Sequence, residues 1–165
     1  MKTLKILLAS ILLAPLSYAQ SPCKYVKKTV KELEETTLYS TFHAGMGYID
    51  VFRSISKEGD QLGLYITTFA SHSNYSAKGI YIKLLNGAIL KNEEKEVDCS
   101  YSSEDSYRYT SIYNITESDL DALLNNPIIL FSVGGVEKKQ DKKNAEKVMS
   151  VIRCLSSVST TEDFK

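Results

Sequence analysis

The sequence predicts a single α+β domain: an antiparallel β-sheet of about six or seven strands, one short helix, and a C-terminal amphipathic helix packed on the sheet. Apolar and polar residues alternate through the middle of the chain, as they do in half-buried strands. An Asn-Gly pair separates two of these alternating segments, which indicates a hairpin. Near the C-terminus the apolar residues recur at helical spacing, which favours a helix with one buried face.

The composition fits one folded core. The chain has 165 residues, of which 43% are hydrophobic, and its 20 Lys and Arg balance 20 Asp and Glu. The hydrophobic content is too high, and the net charge too low, for a disordered chain. Because no strong basic field is present to neutralise phosphates, we expect no nucleic-acid binding.

The strands are predicted from β-forming residues that lie between turn signals. Residues 57–60 (Lys-Glu-Gly-Asp) mark one turn, and Asn86-Gly87 marks a tight hairpin turn in which both residues adopt positive φ. Apolar residues lie on both faces of segment 61–70, so we expect this strand to be covered on both sides. The predicted strands are 48–55, 61–70, 80–84, 88–90, 107–114 and 128–133.

Two helices are predicted after residue 115. Thr116 is a good N-cap for a helix over 117–125, which Pro127 ends. A second helix over about 142–157 has one apolar stripe. The charged segment 29–37 is interpreted as a solvated lead-in rather than a docking arm, and the tail from about 159 to 165 is expected to fray. The stripe consists of Ala145, Val148, Met149, Ile152 and Leu155.

The N-terminus has the three parts of a secretory signal peptide. Lys2 and Lys5 precede a mostly apolar run, Ile6–Leu16, and Ser17-Tyr18-Ala19 supplies small residues before a cleavage site. The run is too short to cross a bilayer, which takes about 20 apolar residues. We therefore expect a signal peptide over 1–19, a single domain over 20–165 with no membrane span after cleavage, and a secreted or periplasmic location.

The leader, ending Ser17-Tyr18-Ala19-Gln20, resembles those of exported proteins of Bacteroidetes bacteria. The strand-rich body with a late amphipathic helix is similar to short exported proteins of that group. The resemblance implies a location in the periplasm or outside the cell, and it implies no particular activity.

Catalytic motifs are weak in this sequence. His43 and His72 are its two histidines, and neither has a second histidine at the spacing of a zinc site on a helix. The segment 43–47 has two glycines but lacks the rest of a phosphate-binding loop, and no GxSxG nucleophile elbow occurs. The acidic residues around 93–98 lie beside lysines, as on a solvated edge. We therefore expect no cofactor and no metal, and we lean against an enzyme.

Tyrosine is the residue type that most suggests a binding surface. Tyr107, Tyr109 and Tyr113 have the same parity and would form an aromatic row on one face of their strand. Tyrosine combines a flat apolar ring with a polar hydroxyl, which suits both protein interfaces and sugar faces. The row is thus a candidate ligand-binding site. The alternative interpretation is that it packs under the C-terminal helix.

Three cysteines allow one disulfide and leave one thiol free. Cys154 lies at the margin of the apolar stripe, and Cys23 lies on a leading segment that is free to reach that margin. Cys99 has the parity of Val97 and is expected to point into the core as a small hydrophobe. The predicted pairing is Cys23–Cys154.

The favoured hypothesis is an exported, non-catalytic binding or structural domain. Its expected partner is an envelope or extracellular protein, a peptide or a glycan. One alternative is a secreted hydrolase whose site is built around His43 or His72. The other is an inhibitor of a secreted enzyme that presents loop 71–78 or loop 100–106.

Overall fold

The computed structural model describes residues 22–42, 44–102 and 105–158. In this part of the chain ten strands and two α-helices follow one another, with short 3-10 turns at Pro22–Tyr25 and Glu32–Glu34. The α+β class with antiparallel strands is confirmed. The elements are β1 (Lys27–Lys31), β2 (Thr36–Ser40), β3 (Ile49–Ser56), β4 (Gly59–Ala70), β5 (Lys78–Leu84), β6 (Ile89–Glu96), β7 (Asp98–Tyr101), β8 (Tyr107–Asn114), α1 (Glu117–Asn125), β9 (Ile128–Val133), β10 (Val136–Lys139) and α2 (Lys142–Ser157).

The strands form two sheets instead of the predicted single sheet of about six or seven strands. One sheet has six strands in the order β1-β2-β3-β4-β8-β7, and the other has four in the order β10-β9-β5-β6. Every strand pair is antiparallel. Val97 separates β6 from β7, so the chain passes from one sheet to the other at this single residue.

The core lies where the inner faces of the two sheets meet the helices. Leu64 and Ile66 of β4, Ile80 and Ile82 of β5, and Phe131 of β9 are almost completely buried in it. Burial of an aliphatic or aromatic side chain of this size contributes about 1.5–3 kcal/mol. The alternation read from the sequence therefore gives the correct inner face for β5.

Helix α1 begins and ends where the sequence predicts. The Thr116 hydroxyl accepts a hydrogen bond from the Asp119 main-chain N–H, and the Asp119 carboxylate accepts one from the Thr116 N–H. This reciprocal capping box satisfies two N–H groups that the helix itself leaves unpaired.

Helix α2 packs against β3 and β9 over the predicted range. Its buried face is wider than predicted, since Val151 and Cys154 are buried as well, and Met149 is only half-buried. The Arg53 guanidinium of β3 donates to the carbonyls of Leu155 and Val158 at 2.6 and 2.8 Å. A cation at this position satisfies unpaired carbonyls and interacts favourably with the helix dipole.

The Asn86-Gly87 hairpin is confirmed, but its turn has three residues instead of two. Leu84 N–H donates to the carbonyl of Ala88, and Gly87 N–H donates to the carbonyl of Leu84. Gly87 has φ +88°, whereas Asn86 is not among the residues with positive φ. This is the pattern of a turn closed by one left-handed residue, and the predicted primed turn is wrong.

The charged segment 29–37 is mostly exposed to solvent, as predicted, but it is part of the sheet and not a lead-in to it. It contains most of β1, the Glu32–Glu34 turn and the start of β2. All five residues of β1 are exposed, so the strand has no apolar face that a sequence pattern reveals. The predicted signal peptide over 1–19 and the tail over 159–165 lie outside the described residues.

Candidate functional site

The predicted tyrosine row is divided between the core and the surface. Tyr109 and Tyr113 are buried, and Tyr107 is half-buried. The Tyr109 hydroxyl donates to the main-chain carbonyl of His72 at 2.8 Å, and the Tyr113 hydroxyl donates to the Asp119 carboxylate at 3.1 Å. Burial, the negative charge of Asp119 and this hydrogen bond all raise the pKa of Tyr113. Of the row, only Tyr107 offers surface to a ligand.

Tyr107 belongs to a different group, which we name the tyrosine cluster: Tyr75, Tyr101 and Tyr107. The Tyr107 ring centroid lies 6.5 Å from that of Tyr75 and 5.7 Å from that of Tyr101, with edge-to-face geometry in both pairs. Tyr75 is 70% exposed and Tyr101 is 65% exposed. The cluster joins the two loops that the inhibitor hypothesis singles out, 71–78 and 100–106.

Hydrogen bonds hold the first of these loops in place. The Asn74 side chain accepts from the N–H of Ser76 at 3.1 Å, and its carbonyl accepts from Ala77 at 3.2 Å. The bond from Tyr109 to His72 attaches the beginning of the loop to β8. Tyr75 is therefore presented by a segment whose backbone is already ordered, which lowers the entropy cost of binding.

The opposite side of the six-stranded sheet forms a second candidate surface, which we name the open face. Apolar side chains occupy its centre, where Tyr65 of β4 lies directly across from Ile112 of β8. In the described part of the chain no helix or sheet covers this side; Phe42 is 50% exposed and Phe69 is 46% exposed. The expectation that β4 is covered on both sides is therefore wrong. The open face comprises Leu38, Phe42, Asp50, Phe52, Ser54, Gln61, Tyr65, Thr67, Phe69, Thr110, Ile112 and Asn114, and Lys95 of β6 in the four-stranded sheet lies beside it.

Gly63 allows an aromatic ring to pack directly on the backbone at the centre of the open face. A Cβ atom on Gly63 would lie 2.5 Å from Cζ of the Phe52 ring, so the ring rests directly on the Gly63 backbone. The Phe42 ring centroid lies 6.4 Å from Phe52 and 5.6 Å from Tyr65, edge-on to the latter. These contacts hold Phe42 in a fixed position although half of its surface faces solvent.

Two grooves with volumes of about 610 and 350 Å³ open on this face, and the larger one extends to the crossing between β6 and β7, where Glu96, Val97 and Asp98 line it. Both are lined by Lys95 and Ile112, so they adjoin each other at these two side chains. Hydrogen-bonding groups of Gln61, Asn114 and Thr110 lie around the apolar centre. An apolar centre with a polar rim is the composition of ligand pockets and of protein interfaces.

The residues of the hydrolase hypothesis do not assemble into a catalytic group within the described residues. His72 is exposed, and its main-chain carbonyl, not its imidazole, accepts the hydrogen bond from Tyr109. His43 lies outside the described residues. Over residues 22–42, 44–102 and 105–158, no group of three or more His, Cys, Asp or Glu side chains is placed to hold a metal ion.

The disulfide Cys23–Cys154 is present as predicted, with the two Cα atoms 5.5 Å apart. Cys99 is free and buried, also as predicted. Cys154, expected at the margin of the helix stripe, is only 2% exposed. The Pro22–Tyr25 turn packs on α2 and contributes Cys23 at that point.

Sequence reasoning missed most of both surfaces. Tyr75 and Tyr101 lie in loops or at a strand end, where no periodicity indicates which ring they meet. Phe42 likewise lies outside the strands. The alternation in β4 does contain a usable signal, since Tyr65 and Phe69 lie on the face opposite Leu64. The alternation in β4 indicates an uncovered aromatic face, and it does not indicate that both faces of this strand are buried.

Comparison of the chain with protein-family models, curated proteins and solved structures gives no match. None of the helices in the described ranges has both the length and the hydrophobicity needed to cross a bilayer. The function is therefore inferred from the geometry of the chain itself.

Proposed function

We propose that this protein is an exported, non-catalytic binding domain, and that its open face takes a chain-like ligand such as a glycan or an extended peptide of the envelope or extracellular space. The observation that carries this proposal is the pair of adjoining grooves, which run over a fixed aromatic centre with hydrogen-bonding groups at the rim. Two adjoining open grooves suit a polymer better than they suit a small molecule, which is usually enclosed.

The proposed location has two supports. The leader has the pattern of a secretory signal peptide. The Cys23–Cys154 disulfide suits an oxidising compartment, where such bonds persist.

The test compares ligand capture by three forms of the purified protein from envelope extract. The open-face variant is Tyr65→Ala/Ile112→Ser, which removes the apolar centre. The matched control is Leu85→Ser/Ile89→Ser, which removes two apolar side chains that are similarly or more exposed and lie outside the open face. We expect one saturable ligand on the unchanged protein and on the control, and little on the open-face variant. Equal capture by all three forms, or a chemically altered ligand, would contradict the proposal.

A second candidate function is an inhibitor or other protein-binding module that uses the tyrosine cluster. Exposed tyrosines on ordered loops are typical of protein-binding hot spots. Tyr75→Ala/Tyr101→Ala tests it, because loss of a captured protein in this variant alone would assign the contact to the cluster.

A further inference from the structure

The two grooves of the open face differ in charge. Leu38, Phe42 and Phe52 give the smaller groove an apolar wall, and among the described residues no carboxylate lines it. The larger groove ends at the crossing between β6 and β7, where Asp98 lines it. Lys95 lines both grooves. A ligand that occupies both grooves therefore meets an apolar surface first, then a lysine, and then a carboxylate.

The two charges at this crossing are not used by the fold. Lys95 is half-buried and Asp98 is exposed, and neither forms an ion pair in the part of the chain that the structure describes. The other lysine of β6, Lys91, differs in this respect, because it is paired with Glu93 at 2.9 Å. Asp98 lies directly opposite Thr110, which places its side chain on the side of the open face. Both charges can therefore attract opposite charges that a ligand brings.

Two amide side chains, Gln61 and Asn114, lie along the smaller groove. Both are exposed, and within the described residues neither side chain is hydrogen-bonded. A side-chain amide has one carbonyl acceptor and one NH₂ donor group, which match the C=O and N–H of a peptide group. Gln61 and Asn114 can therefore bond the main chain of a peptide in this groove whatever its sequence.

The change of charge along the grooves distinguishes the two ligand classes of the proposed function. A uniformly acidic polysaccharide would be repelled by Asp98. A neutral polysaccharide would cover Lys95 and Asp98 without bringing counter-charges, which costs free energy. A peptide can carry an acidic and a basic residue close together, and it is the ligand class that matches both charges.

We propose that the ligand of the open face is an extended peptide segment of a partner protein, and this assignment rests on the proposed function of that face. Apolar residues of the segment occupy the smaller groove, an acidic residue pairs with Lys95, and a basic residue pairs with Asp98. Side chains on one side of an extended chain are two positions apart. The recognised pattern is thus two apolar residues, an acidic residue and a basic residue at every second position.

The probe is the capped peptide Phe-Thr-Leu-Thr-Glu-Thr-Lys, in which the four selected side chains face one way, and it is titrated into the protein by calorimetry. The comparison peptide exchanges its Glu and Lys and keeps the same composition. The charge-swapped variant of the protein is Lys95→Glu/Asp98→Lys. The matched control, Lys83→Glu/Glu137→Lys, makes the same kind of exchange at two exposed residues on the other sheet.

We expect the unchanged protein and the control to bind the first peptide about tenfold more tightly than the comparison peptide. The charge-swapped variant should show the opposite preference, and added salt should weaken the preference in every form, since exposed charges are screened. A misfolded variant cannot account for the opposite preference, because that result requires tighter binding of the comparison peptide.

Equal binding of the two peptides, no binding of either, or an unchanged preference in the charge-swapped variant would overturn the assignment. Tighter binding of cello-oligosaccharide or oligogalacturonate than of either peptide would overturn it as well. In all of these cases the proposed function still stands if Tyr65→Ala/Ile112→Ser loses the ligand captured from envelope extract. Capture that does not depend on the open face would overturn both.

Discussion

Removing the disulfide should destabilise this protein about as much as truncating a large buried side chain. Cys23 and Cys154 are 131 residues apart in the sequence, so their bond encloses nearly the whole described chain. In the chain-entropy account, a closed loop of this length restricts the unfolded state by about 5 kcal/mol. We expect the free energy of unfolding of the Cys23→Ala/Cys154→Ala variant to be about 3–5 kcal/mol lower, because measured disulfide contributions are usually smaller than the chain-entropy value.

Urea unfolding followed by circular dichroism measures this loss. Cys99→Ala is the matched control, because it removes a buried thiol without breaking a crosslink and should cost about 1–2 kcal/mol. The slope of free energy against urea should also rise in the double variant, since an unfolded chain without the crosslink exposes more surface. A loss no larger than that of Cys99→Ala, with an unchanged slope, would refute the loop-entropy reasoning.

Three further predictions concern single residues. Gly87→Val should lower stability by about 1–2 kcal/mol more than Gly87→Asn, because φ +88° is a left-handed conformation that a β-branched residue resists; equal urea midpoints would contradict the turn geometry. Gly63→Ala should lower the free energy of unfolding by about 1–3 kcal/mol, because the added Cβ would overlap the Phe52 ring. In the background of Phe52→Ala, most of this loss should disappear. Additive effects in the double variant would show that the ring does not rest on Gly63. Tyr113 has a raised pKa in the folded protein, so above about pH 10 the unfolded state releases a proton that the folded state keeps, and stability falls as the pH rises. Tyr113→Phe should make stability fall less steeply above this pH, which unfolding midpoints measured across the pH range would show. The same pH dependence in both proteins would argue against a buried ionisable hydroxyl at this position.

The parts of the fold that could be predicted are those governed by local rules. Helix α1 follows from the Thr116 cap and from Pro127, and α2 follows from a stripe that any neighbouring sheet would bury. Strands β4, β5 and β8 alternate because one face of each lies against the core. Apolar and polar residues alternate along a strand because one of its faces is buried. A strand without a buried face therefore shows no such alternation in its sequence.

That reason explains the missed strands. β1 is exposed along its whole length, and β10 is nearly so, and their main-chain pairing with β2 and β9 is invisible in side-chain patterns. The division of the strands into two sheets could not be predicted from the sequence either. It depends on Val97, where one continuous extended segment changes its pairing partner from β5 to β8.

The candidate surfaces required tertiary structure for a different reason. Parity correctly predicts that Tyr107, Tyr109 and Tyr113 share one face of β8, but parity alone does not say whether that face is inside or outside. The rings that surround Tyr107 come from positions 75 and 101, which the loops bring together. Among long-range contacts only the disulfide could be predicted, because three cysteines leave few pairings to choose from.

The position of the Cys23–Cys154 bond also decides how tension passes through the molecule. Both sheets lie between Cys23 and Cys154 in the sequence, so residues before 23 and after 154 are outside the loop that the disulfide closes. When the two ends are pulled apart in the oxidised protein, the force runs through the covalent bridge and leaves the sheets unloaded. After reduction the same force acts on the folded segments between the two cysteines, beginning with β1 and α2. Oxidation thus allows the molecule to be held at both ends without its sheets being stretched.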